Sequence, residues 1–220
     1  MKSNRLRVLL AAAAATAGLT ACSSPVGVGT AATVGGERIT TARLNADVVE
    51  FQNAVRTAKI PPDQLQIQSS VPQAVLLQLV QMRQFRQFAE RQGVTVSDGD
   101  LDKFVAEQGG LEKIGPNALI RGVPPSETRE WIRTALIYQK SLERFGANLT
   151  DQASQQAAQA KLFQQLDTIP IKVAHRYGTW DTQRGLVEEP RFGAPAQAEA
   201  PAGGQGQGGG QGEPDPATGQ

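Results

Sequence analysis

The stretch PQAVLLQLVQMRQFRQFAERQG, residues 72–93, decides the fold that this chain can adopt. Its apolar residues recur at helical spacing and form a face wide enough to contact several neighbours. Pro72 suits the first turn of a helix, where its missing N–H leaves no bond unmade, and Gly93 suits the position just past the end. The pattern predicts a long central helix over 72–92, whose apolar face consists of Val75, Leu76, Leu79, Val80, Met82, Phe85 and Phe88.

Weaker signals on both sides of this helix predict the rest of the domain. Residues 31–40 are typical of a β-hairpin, because Gly35-Gly36 is a two-residue turn signal. Residues 169–174 predict a strand that pairs with the hairpin. Residues 109–125, rich in Gly and Pro, predict mostly connection, with room for one helical turn near Leu111 to Ile114 and another near Asn117 to Arg121. We therefore expect a mainly α fold of about five helices, with a small β-sheet that pairs the N-terminal strand or hairpin with the C-terminal strand. The other four helices are expected to begin near Thr41, Ser97, Ser126 and Asp151.

The N-terminal segment predicts export and a lipid anchor. Lys2, Arg5 and Arg7 precede an apolar run over 8–17, which is the pattern of a secretory signal. The run is too short for a transmembrane helix, which needs about 20 residues. Cys22, the only cysteine, follows Leu-Thr-Ala and resembles the modified cysteine of bacterial lipoproteins. We expect its sulfur to carry a diacylglycerol, which places the protein on the extracytoplasmic face of the cell membrane.

The alternative is an ordinary secretory signal that leaves a soluble protein with a free thiol. A lone exposed cysteine is a liability in an oxidising compartment, whereas acylation removes that liability. Stable attachment needs two acyl chains, which a diacylglycerol supplies.

Composition divides the chain into four predicted segments. Residues 1–21 form the signal peptide, 22–30 a flexible tether, 31–187 the helical domain and 188–220 a tail rich in Gly, Gln and Pro. The tail has too little apolar surface to offset the entropy of ordering, so we expect it to be disordered. A role for the tail in binding cell-wall material or a partner is the alternative.

The charge balance argues against two classes of partner. The whole chain carries 22 basic and 21 acidic residues. Removal of residues 1–21 takes away three basic residues and leaves a formal charge of about −2. A chain this balanced has no electrostatic footprint for nucleic acid and no polybasic patch for a membrane surface.

The two ends of the predicted domain carry a family resemblance. The opening Ala-Thr-Val-Gly-Gly-Glu-Arg-Ile-Thr over 32–40, the Val-Thr-Val-Ser-Asp step over 94–98 and the closing Arg-Tyr-Gly-Thr-Trp-Asp over 176–181 follow one another in the expected order. Together they resemble the chaperone domain of the SurA/PrsA-type extracytoplasmic foldases, over roughly residues 31–181. Ala174-His175 stands where that family often has Asn-Pro.

The resemblance implies binding of non-native polypeptides and no catalysis. Many family members carry a parvulin-type prolyl isomerase module before the last helix and strand, which here would fall at residues 147–150. The sequence leaves no room for it there, and parvulin sites use paired histidines whereas this chain has only His175. What the resemblance implies is therefore the non-catalytic half of such proteins.

Other chemistry is not expected from these residues. His175 is the only candidate base for nucleophilic catalysis, and a zinc site needs three or four nitrogen or sulfur ligands that the chain cannot supply. Asp98, Asp100 and Asp102 lack the spacing of a calcium loop and fit helix capping better. We predict no catalytic residue, no metal and no cofactor.

The central helix is the best candidate for client binding. Its face contains a methionine, and adaptable apolar surfaces of this kind suit varied partners. Complete coverage by neighbouring helices is the alternative for this face. Trp131, Tyr138, Tyr177 and Trp180 are expected to pack into the core. The possible client-binding residues are Val75, Leu79, Met82, Phe85 and Phe88.

Three functions remain open from the sequence. The first is a lipid-anchored chaperone-like protein that binds unfolded or partly folded secreted proteins. The second is a scaffolding lipoprotein that binds one dedicated envelope partner, and the third is a residual peptidyl-prolyl isomerase. The sequence leaves the oligomeric state and the clients open.

Overall fold

A computed structural model of the protein describes residues 27–148 and 150–187. Within these residues the fold is mainly α, as the sequence predicts, but it has six α-helices and two small antiparallel sheets instead of about five helices and one sheet. The helices are α1 Thr41–Thr57, α2 Val71–Gln92, α3 Asp98–Glu107, α4 Leu111–Ile120, α5 Thr128–Arg144 and α6 Gln152–Leu166. The strands are β1 Thr30–Val34, β2 Glu37–Thr40, β3 Ile171–Val173, β4 Thr179–Asp181 and β5 Gly185–Val187.

The larger sheet joins the two ends of the domain. β1 lies in the middle, paired antiparallel with β2 on one side and β3 on the other. The hairpin turn uses Gly35 and Gly36 at φ of 55° and 92°, a backbone region that glycine enters without strain. Val34 pairs with Ile171, so the predicted pairing of the early hairpin with the late strand is confirmed.

Side-chain and glycine caps define the ends of α1, α2 and α3. The hydroxyl of Thr40 accepts a 3.1 Å bond from the amide of Arg43 at the start of α1. Ser97 and Asp100 form a reciprocal capping box on α3, with bonds of 3.0 and 3.1 Å. Gly93 ends α2 at a φ of 64°.

α2 is the centre of the domain. Helices α1, α5 and α6 and strand β1 pack against it. Its glutamines also hold other segments through their side-chain amides, which donate to main-chain carbonyls. The four bonds are Gln73 to Tyr177 at 3.1 Å, Gln78 to Arg121 at 3.1 Å, Gln84 to Leu166 at 3.1 Å and Gln87 to Val34 at 2.7 Å.

The segment 109–125 corrects a prediction, because much of it is helical. α4 spans Leu111–Ile120 with Pro116 inside it, although an interior proline removes one helical bond. Ala118 and Leu119 are buried, and α4 packs against α1 and α5. Tertiary burial therefore outweighs the local effect of Gly and Pro that the sequence displays.

Aromatic residues at the end of the domain cover the core. Tyr177 and Trp180 are half-buried against it, as predicted, and so are Trp131 and Tyr138 on α5. β4 and β5 form a second hairpin that the sequence did not indicate, with Trp180 opposite Leu186. The hairpin thus adds Leu186 to the apolar cover.

Candidate functional site

The predicted client-binding face of α2 is closed in this structure. Val75, Leu79, Met82 and Phe88 are at most 3% exposed. Phe85 is half-buried and meets the Tyr138 ring edge-on, with the ring centroids 6.3 Å apart. These five side chains belong to the core or its border instead of lining an open apolar groove. The structure therefore supports the alternative that neighbouring elements cover this face.

A charged cleft lies at the edge of the same face. Its volume is about 190 Å³, and it is bounded by α1, by α2 and by the start of α5 with the turn before it. Leu79 and Met82 form its apolar part, so the cleft touches the border of the predicted face. The charged residues that line it are Arg43, Arg83, Arg86, Glu127 and Glu130.

The α2 side of the cleft presents two guanidinium groups to one carboxylate. Glu37, at the start of β2, forms an ion pair with Arg83 Nε at 3.1 Å and accepts a hydrogen bond from Arg86 Nη2. Burial by itself raises the pKa of Glu37, but the hydrogen bond from Arg86 and the charges of Arg86 and Arg83 hold it below its usual value. Burial lowers the pKa of Arg83, with Glu37 opposing it. This side of the cleft has one more positive than negative charge.

The opposite side of the cleft, formed by α1 and the start of α5, has more negative than positive charges. Arg43 on α1 bonds Asp47 Oδ2 through its Nε at 2.8 Å and also bonds Glu127. Asp47 is only 2% exposed, and its burial raises the pKa of that carboxyl despite the nearby guanidinium. Glu130 is paired with Arg133 at 3.2 Å, and Arg133 also binds Asp98. Arg43 and Arg133 therefore each pair with two carboxylates.

Two polar atoms of the residues that line the cleft have no hydrogen-bond partner. They are Arg83 Nη1 and Glu130 Oε1, one donor and one acceptor. Buried polar atoms are usually satisfied, so each exception calls for an explanation. The third such atom in the described residues, Thr30 Oγ1, does not line the cleft.

The sequence interpretation missed this cleft. Arg83 and Arg86 lie three residues apart beside Met82 and Phe85, which was a visible signal of a charged border on the apolar stripe. Their partner Glu37 lies more than 40 residues away in the chain, and Glu127 and Glu130 lie as far in the other direction. No local pattern links the three segments.

The remaining sequence predictions have different outcomes. Cys22 and the tail over 188–220 lie outside the described residues. His175 is exposed on the turn after β3. Among residues 27–148 and 150–187, no group of three or more His, Cys, Asp or Glu side chains could hold a metal ion, and no helix there is long and apolar enough to cross a membrane.

Comparison with known proteins identifies the family. The family model described as the SurA-like N-terminal domain matches residues 5–115. The chain belongs to this family. Membership in the SurA-like N-terminal domain family indicates a chaperone-like role in protein folding in general. The match covers the hairpin, α1, α2, α3 and the first half of α4, so it includes the central helix and the α1 and α2 sides of the cleft. No curated protein and no solved structure matches the chain.

Proposed function

We propose that this protein is a lipid-anchored extracytoplasmic chaperone that binds non-native secreted polypeptides without catalysing a reaction. Its membership in the SurA-like N-terminal domain family carries the proposal. The leader over 1–21 and the cysteine that follows it support the extracytoplasmic location and the anchor.

The short tether gives the anchor a mechanical role in this proposal. Eight peptide steps separate Cys22 from Thr30, where β1 begins. Fully extended, they reach roughly 26–29 Å. A domain held that close to the membrane meets emerging secreted chains at high effective concentration, so weak binding suffices.

Aggregation of a model client tests the chaperone function. The full chain carrying Cys22→Ala, purified without detergent, should slow the aggregation of a thermally unfolded secreted protein when present in excess. An equal excess of an inert protein of similar size is the control. Equal aggregation rates with the chain and with the control would contradict the proposal.

The same preparation should leave the rate of prolyl isomerisation in a short peptide at its uncatalysed value. Clear acceleration of that isomerisation would contradict the proposal that the protein catalyses no reaction.

A second candidate is a scaffolding lipoprotein that binds one dedicated envelope partner. The closed apolar face of α2 favours it, because four of the five predicted client contacts are buried. The exposed large apolar residues of the described chain lie in separate parts of the fold: Val28 before β1, Val49 on α1, Leu111 on α4 and Phe163 on α6. Cross-linking in membranes separates the candidates, since one stoichiometric product indicates a scaffold and a broad set of secreted proteins indicates a chaperone.

A further inference from the structure

The charged cleft contains complementary unmet hydrogen-bonding capacity on two elements. Arg83 Nη1 on α2 lacks an acceptor, and Glu130 Oε1 on α5 lacks a donor. Both atoms are buried, whereas the side chains as a whole keep 21% and 29% of their surface exposed, so a ligand in the cleft would reach them after a rotation of the guanidinium and carboxylate groups. A ligand that supplies one acceptor and one donor would satisfy both.

The charge distribution selects a neutral, dipolar ligand. An anion would be attracted by the two arginines, Arg83 and Arg86, but repelled by the two glutamates across the cleft, Glu127 and Glu130. A cation would be attracted by the glutamates but repelled by the arginines. A peptide unit carries no net charge and presents a C=O acceptor and an N–H donor. It is therefore the common biological group that fits both sides.

The size and lining of the cleft fit a short stretch of extended chain. About 190 Å³ is room for roughly six water molecules. Leu79 and Met82 at its inner border offer a small apolar contact beside the polar groups. Recognition through the main chain is independent of sequence, as it is when a peptide adds to a sheet edge.

We propose that this cleft binds the main chain of an extended polypeptide segment, with Arg83 and Arg86 donating to a peptide carbonyl and Glu130 accepting from a peptide N–H. The inference rests on the proposed chaperone function and specifies how clients are held. It moves the client contact from the closed apolar face of α2 to the charged border of that face. It also accounts for varied clients without an open hydrophobic groove.

Met82 supplies a direct readout of occupancy. It lines the cleft and is one of only two methionines in the chain, so its methyl resonance is readily assigned after ¹³C-methyl labelling. The probe is a capped, uncharged peptide, acetyl-Ser-Leu-Gly-Leu-Ser-amide, titrated into the full chain carrying Cys22→Ala. We expect a saturable shift of the Met82 methyl signal that persists at high salt. The same peptide with N-methylated amides should bind about fivefold more weakly or worse, because it lacks the donors.

Substitutions on the two sides of the cleft test whether Arg83 donates to the peptide and Glu130 accepts from it. Glu130→Leu removes the acceptor and should weaken peptide binding by about fivefold, whereas Glu130→Gln keeps a carbonyl acceptor and should stay within about twofold. Arg83→Met should weaken binding by a similar factor while its thermal unfolding shows that the chain remains folded. Glu107→Leu is the matched control, because that exposed glutamate lies on α3 outside the cleft.

Three outcomes of the peptide titrations would overturn the proposal. They are the absence of any saturable Met82 shift, equal binding of the N-methylated peptide, and binding only by peptides with a carboxylate that is lost at high salt. Aggregation assays keep this inference separate from the chaperone function. If the parent chain suppresses aggregation and Glu130→Leu and Arg83→Met do so equally well, the cleft assignment fails and the chaperone function stands. If the parent chain binds the peptide but does not suppress aggregation, the chaperone function fails instead.

Discussion

The side-chain amide of Gln87 donates a 2.7 Å hydrogen bond to the main-chain carbonyl of Val34. This contact joins the C-terminal part of α2 to the end of β1, next to the glycine turn of the first hairpin. Because Val34 also pairs with Ile171, the helix, the first hairpin and the last strand of the larger sheet meet at one place. The position of the hairpin on α2 therefore depends on a glutamine as well as on apolar packing.

The hairpin turn provides a matched pair of substitutions. Gly35→Ala and Gly36→Ala should each lower the free energy of unfolding by about 1–2 kcal/mol, because both glycines have positive φ. At Gly35 the new methyl would also lie 1.8 Å from Gln87 Oε1, so the Gln87 side chain must move and lose its bond to Val34. At Gly36 nothing lies within 4 Å of the new methyl. We expect Gly35→Ala to be the more destabilising by about 1 kcal/mol in urea unfolding. Equal effects would show that the Gln87 bond contributes nothing.

Phe88 is expected to be essential to the core. It is 1% exposed and packs against Phe85 and Phe145, with ring centroids 6.5 and 6.4 Å away. Phe88→Ala should lower the free energy of unfolding by about 3–5 kcal/mol. Phe163→Ala is the control, because that ring is 53% exposed and its loss should change stability by no more than about 0.5 kcal/mol. A loss below about 1 kcal/mol for Phe88→Ala in denaturant titration would mean that the α2 face is open in solution.

The capping box of α3 predicts a pH dependence. The hydrogen bond from Lys140, at 2.8 Å, and those with Ser97 lower the pKa of Asp100 to about 2, from an ordinary value of 3.8. The folded state therefore favours the ionised carboxylate. Its stabilising effect is complete above pH 3.8 and is lost as the pH falls from there to about 2.

Thermal unfolding between pH 6 and pH 2 tests whether the stabilising effect of the Asp100 carboxylate is lost as the pH falls. The melting temperature of the parent chain should exceed that of Asp100→Asn at pH 6, and the difference should shrink toward zero near pH 2. A difference between the parent chain and Asp100→Asn that stays constant down to pH 2 would exclude the Lys140 and Ser97 bonds as its source.

Cys22→Ala should release the protein from membranes. Without the sulfur no diacylglycerol can be attached, and the balanced charge of the chain gives no other strong attraction to a lipid surface. After cell fractionation the variant should move from the membrane pellet to the soluble extracytoplasmic fraction, with an unchanged melting temperature. If the variant still sediments quantitatively with membranes after residues 1–21 have been removed, the domain itself holds the surface and the tether model is wrong.

Several parts of the fold could be predicted from the sequence because their causes are local. The turn at Gly35-Gly36, the C-cap at Gly93 and the capping box of Ser97 and Asp100 all depend on residues a few positions apart. α4 could not be predicted in this way. Its Gly115 and Pro116 disfavour a helix locally, and only the burial of Ala118 and Leu119, where α4 packs against α1 and α5, makes the helix favourable.

The candidate site also combines a feature that the sequence shows with features that only tertiary contacts create. The broad apolar face of α2 is visible in the sequence, but a periodic stripe has the same pattern whether other elements cover it or leave it open. The helices that cover it, α5 and α6, lie far along the chain. The cleft at its border likewise needs Glu37, Arg83 and Glu130 together, from a strand and two helices.

The sequence by itself determined that this chain forms a mainly helical domain around residues 72–92, with its first hairpin able to pair with the strand predicted at 169–174. It could do so because periodicity, capping and turn chemistry act between near neighbours. Only the tertiary structure decided that the α2 face is closed, that α4 is a helix, and that Glu37 pairs with both Arg83 and Arg86 beside a cleft. Those features depend on burial and charge balance among residues distant in the chain, and no local pattern records these interactions.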